Sequence, residues 1–114
     1  MRAFEEDTLR RWVMKYLRTC YPDRCAAYSS ADFAVLVQNA IAKARRRNLN
    51  SREIRKYVHV VFLLGEGFEK NPEFAWAVEV LTAPEYNDEG ARIRALEDAV
   101  LEHFRTESAP VSSV

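Results

Sequence analysis

The stretch SREIRKYVHVVFLLGEGFEKNPEFAWAVEVL, Ser51 to Leu81, constrains the fold more than any other part of the chain. From Ile54 to Leu64 apolar residues recur at helical spacing, and after Tyr57 they occupy most of the circumference. Such a helix belongs at the centre of a domain rather than on its edge. Gly65 and Gly67 supply positive-φ positions for a sharp exit. Asn71-Pro72 then opens another helix, with a capping side chain and a proline at the first position, where a missing amide costs nothing. Phe68 anchors the loop between.

The flanking sequence reads as further helices around that centre. Residues 1–6 are expected to be loosely held, with Phe4 folding back as a hydrophobic staple. Asp7 or Thr8 can cap a first helix whose apolar stripe is Leu9, Trp12, Val13, Tyr16 and Cys20. Tyr21-Pro22-Asp23 reads as a turn that starts a connection. Ser30 is the expected cap of a second helix with its stripe at Phe33, Leu36, Val37, Ala40, Ile41 and Ala44. Arg45, Arg46 and Arg47 meet the unpaired carbonyls at its end, and Asn48 suits the left-handed position after it. Asn50 with Glu53 has capping-box spacing, although Ser51 competes as the cap. Phe74, Ala75, Val78 and Leu81 mark one face of the helix that Pro72 starts and Ala83-Pro84 ends. Asn87 or Asp88 caps a last helix carrying Ile93, Leu96, Val100, Leu101 and Phe104. The pattern predicts an all-α, single-domain bundle of about five helices over residues 1–106, with a disordered tail at 107–114.

Composition narrows the function classes. The longest apolar stretch, Val58–Leu64, falls far short of the ~20 residues of a membrane span. No secretory leader pattern precedes Cys20 and Cys25, so the chain reads as cytoplasmic, with both thiols reduced and packed. A single C-x4-C spacing, with His59 and His103 on separate helices, does not make a zinc site. No catalytic residue or cofactor site is signalled. His59, with no Ser, Cys or carboxylate at a local spacing, reads as a hydrogen-bonded structural histidine. Glu85, Asp88, Glu89, Glu97, Asp98 and Glu102 read as a solvated acidic face.

Net charge is zero, but residues 1–60 hold 13 Lys/Arg and 6 Asp/Glu, a net +7, whereas residues 61–114 hold 4 and 11, a net −7. The two signs can meet inside one molecule, between two copies in a homodimer, or across a partner interface. The candidate contact residues are the basic cluster Arg45, Arg46, Arg47, Arg52, Arg55 and Lys56, together with Phe74 and Trp76. Two residues apart on a helix, the two aromatics cannot both point inward, so one is expected at the surface. The cluster also admits a helix-turn-helix reading, against which stand the zero net charge and the apolar character of the helix that would have to enter a groove.

The segment Gly65 to Leu81, GEGFEKNPEFAWAVEVL, followed by Arg92, Leu96 and Phe104, resembles the small all-helical proteins that accompany PAAR-tipped effectors and their adaptor chaperones in bacterial type VI secretion clusters. The resemblance covers about the last two-thirds of the chain; the basic turn and the cysteine pair lie outside what carries it. It implies a non-enzymatic co-chaperone that binds the adaptor loading an effector and is released rather than exported. The alternatives are an immunity protein that neutralises a cognate toxin and the nucleic-acid binder above.

Overall fold

The computed structural model describes the backbone of residues 2–108 and the side chains of residues 7–105. Six α-helices follow one another: α1 (Arg2–Cys20), α2 (Pro22–Ala26), α3 (Ser30–Arg45), α4 (Ser51–Leu64), α5 (Ala75–Leu81) and α6 (Glu89–Ser108). Two 3₁₀ turns, Phe68–Lys70 and Pro72–Phe74, lie between α4 and α5. Among the described residues there is no strand. The all-α bundle is as expected.

Helix α4 is the centre. Ile54, Tyr57, Leu64 and every residue from Val58 to Phe62 are buried, and α1, α3 and α6 pack on it. Its start is the full capping box: Asn50 Oδ1 accepts from the Glu53 amide at 2.9 Å, and Glu53 Oε1 accepts from the Asn50 amide at 3.1 Å. Replacing Asn50 with Ala orphans that amide, and we expect urea denaturation to register a loss of about 1 kcal/mol. The helix exits through Gly65 at φ 102° and Gly67 at φ 77°, with Phe68 buried beneath, and Asn48 adopts φ 60°.

The stripe of α3 is buried at all six expected positions. Elsewhere the structure differs in instructive ways. Helix α1 already runs through Asp7 and Thr8, so neither caps it; Asp7 instead receives hydrogen bonds from Arg10 and Arg11. The staple expected of Phe4 lies outside the described side chains. The buried stripe of α1 is Leu9, Val13 and Leu17, spaced by four, which leaves Trp12 one residue off its axis, a rotation of about 100°, and 44% exposed. Cys20, the last residue of the helix, is exposed, whereas Cys25 is buried. The expected connection after Cys20 contains α2, opened by Pro22 and anchored by Cys25. Ser29, not Ser30, caps α3 by accepting from the Asp32 amide. Asn71 caps a 3₁₀ turn rather than α5 itself, and α5 buries Ala77 and Leu81. On α6, Asp88 is the cap, taking the Ala91 amide at 2.7 Å; Leu101 is exposed. Of the expected tail, 107–108 continue α6 and 109–114 lie outside the described residues.

Candidate functional site

A buried polar chain runs between helices 38 residues apart in sequence. His59, on α4, is 2% exposed and sits between the Tyr21 hydroxyl, 2.7 Å from Nε2, and Glu97 of α6, 2.7 Å from Nδ1. Lys56 Nζ donates to the other Glu97 oxygen at 2.9 Å, and Arg55 Nη1 reaches the first at 3.3 Å. Burial works against ionisation of Glu97. The hydrogen bonds from His59 and Lys56 and the charges of Arg55 and Lys56 outweigh it and hold the carboxyl at about 2. An ionised carboxylate only accepts, so Nδ1 must carry a proton; in the neutral imidazole Nε2 then accepts from Tyr21. Burial pushes the Tyr21 hydroxyl up, followed by the influence of Tyr16 and Cys20, which keeps it a donor. Tyr16 packs edge-on to His59 at 5.5 Å, and the Arg55 guanidinium lies 4.3 Å over the Tyr16 ring.

His59 is thus the hydrogen-bonded histidine the sequence suggests, with its partners supplied by tertiary structure. Glu97, by contrast, is no part of a solvated face. At 5% exposure it occupies the core stripe of α6 between Ile93 and Val100. Glu89 is also engaged, accepting from Arg47 at 2.7 Å and Arg92 at 2.8 Å. Glu85, Asp98 and Glu102 are exposed as expected.

The basic cluster divides. Arg47 spans from Glu89 to Glu69 and lies 5.9 Å over the buried Tyr57 ring, so it ties α3 to the loop after α4 and to α6. Burial opposes its charge, but the Glu89 hydrogen bond wins and raises its pKa. Arg55 and Lys56 are bound from behind by Glu97. Arg45, Arg46 and Arg52 are exposed. These pairs join the basic first half to the acidic second half, so a good part of the charge asymmetry is met within one molecule. Phe74 and Trp76 are both half-buried: they pack edge-to-face at 6.3 Å, and Trp76 stacks on His103 at 4.5 Å. The exposed tryptophan is Trp12.

The chain matches no family model, no curated protein and no solved structure. Its function has to be read from its own geometry. Among the described residues no group of three or more His, Cys, Asp and Glu side chains could hold a metal ion, and no helix is long and apolar enough to cross a membrane.

Trp12 opens onto a cleft of about 510 Å³ between α1, the first two turns of α4, and α6. Arg52, Arg55, Lys56 and Arg94 line it, with Glu53 as the acidic member. Arg94 donates to Glu53 at 3.2 Å while keeping 54% of its side chain exposed. The sequence spacing that includes Trp12 in the buried stripe is not the one the helix uses; the signal for the alternative is the Leu9–Val13–Leu17 register, which turns Trp12 outward.

Proposed function

We propose that the chain is a non-enzymatic, cytoplasmic protein-binding module, a co-chaperone that holds the adaptor chaperone of a type VI secretion effector. The observation that carries this reading is the exposed Trp12 at the mouth of a basic cleft. Tryptophan and arginine are the side chains that most often dominate protein interfaces, and Trp12 keeps 44% of its surface exposed beside Arg52, Arg55, Lys56 and Arg94. The resemblance of Gly65–Leu81 supports the choice of partner. That segment forms a closely fitted unit here, with Phe68 buried and Trp76 stacked on α6.

The burial of α4 weighs against the nucleic-acid reading. A recognition helix must offer a face to a groove, whereas α4 is buried continuously from Tyr57 to Phe62 and exposes only its first turn. The titratable chain Tyr21–His59–Glu97 fits an internal tie between α2, α4 and α6, because each ring nitrogen of His59 already has a protein partner.

A tagged full-length chain captured from its native bacterium, with proteins identified by mass spectrometry and nucleic acid quantified in the same eluate, tests the reading. Stoichiometric recovery of an adaptor chaperone is the expected result. Recovery of a toxin that dissociates slowly would make the chain an immunity protein instead, and nucleic acid without a stoichiometric protein would sink the proposal.

A further inference from the structure

The cleft beside Trp12 also says something about the partner's chemistry, on the premise that the chain is a protein-binding module. Four cations face one carboxylate there, and three of them are not loose surface side chains. Glu97 fixes Arg55 and Lys56 from the buried side, and Glu53, itself held in the capping box, fixes Arg94. Side chains already ordered by such ties lose less rotamer freedom on binding. Arg52, on the exposed side of the first turn of α4, adds a cation at the entrance. Beside this charge lies an indole face, an apolar surface that also attracts cationic and aromatic groups.

We propose that this cleft is the docking site for an acidic segment of the partner protein, which lays an apolar side chain on Trp12 and turns carboxylates toward Arg52 and Arg94. A nucleic acid offers negative charge too, and bases that stack on indoles. The extent of the positive field favours the peptide. Asp98, exposed one turn beyond Arg94 on α6, is an acidic limit to the patch. A phosphate backbone, charged at every nucleotide, would run onto it. A short acidic segment stops before it.

The test uses a fluorescein-labelled peptide, Glu-Glu-Asp-Leu-Phe-Asp-Glu-Glu, its counterpart with Lys at every acidic position, and a short oligothymidine, each titrated with the full chain and followed by anisotropy. Saturable binding of the acidic peptide is expected, weakened about thirtyfold by Trp12→Ala, as for an interface anchor, and fading as salt rises. Arg52→Glu should weaken it about tenfold, because a like charge at the entrance repels the segment. Circular dichroism establishes that both variants keep their helices. Absence of saturation, equal affinity for both variants, or tighter binding of the oligothymidine would overturn the assignment. The two readings fail separately. If the native bacterium yields a protein partner that Trp12→Ala and Arg52→Glu hold as tightly as the unaltered chain, the binding function stands and the cleft is not its site.

Discussion

Replacing Glu97 with Gln should lower stability by roughly 3 kcal/mol at neutral pH, among the largest losses any single substitution can cause here. The amide keeps the shape but not the charge, so Arg55, Lys56 and the Nδ1 proton of His59 face a neutral group at a buried position. The same carboxylate gives the protein an acid limit. Its folded pKa of about 2 lies below the ordinary 4.5. Stability from this source is therefore fully present above about pH 4.5 and is lost as pH falls through the folded value. A shift of this size corresponds to roughly 3 kcal/mol at neutral pH, in line with the substitution. Urea denaturation at pH 7 and pH 3 measures both effects. The unaltered chain should weaken markedly between the two, and the Gln variant should be weaker at pH 7 with a flatter dependence. A Gln variant within about 0.5 kcal/mol of the unaltered protein, the range of ordinary surface substitutions, would mean that the buried tie contributes nothing net.

The second large effect lies in the aromatic cluster under α3. Phe33 is 2% exposed, edge-to-face with Phe62 at 6.0 Å and 6.1 Å from Tyr28, with the Arg18 guanidinium 5.1 Å over its ring. Phe33→Ala removes the ring and leaves a cavity that close-packed neighbours cannot fill, so a loss of about 3–5 kcal/mol is expected. Val35, two residues along the same helix, is 54% exposed, and Val35→Ala should change stability by no more than about 0.5 kcal/mol. Thermal denaturation of the pair tests the register of α3 directly, since comparable losses at both positions would contradict it.

The parts of the fold that local sequence encodes could be read from sequence. Helix α3 repeats its apolar residues without interruption, the Asn50–Glu53 box is complete within four residues, and Asn48, Gly65 and Gly67 declare their backbone angles. Features held by distant contacts could not be read. Five residues from Pro22 to Ala26 carry no usable period, so α2 is visible only through the burial of Cys25. Spacing from Leu9 admits two overlapping stripes, one through Trp12 and Tyr16 and one through Val13 and Leu17, and the packing selects the second, which turns Trp12 outward. Glu97 stands on the core stripe of α6 at four residues from Ile93 and three from Val100. Its place was legible, but its partners on α4 lie about forty residues away and were not. The same distance hid the fate of the basic cluster. Arg47, Arg55 and Lys56 read as surface charge until the acidic residues that hold them are in place, and what remains for a partner is a smaller patch that includes Arg52 and Arg94.

Amide hydrogen exchange of the full chain, alone and with any protein that co-purifies with it in stoichiometric amount, is the most direct test of the proposed binding role. The expected result is slowed exchange along α1 around Trp12 and at the first turn of α4, with the core of α4 unchanged because it is already protected. Protection confined to other faces of the bundle, or failure of any protein to form a stable complex, would contradict it.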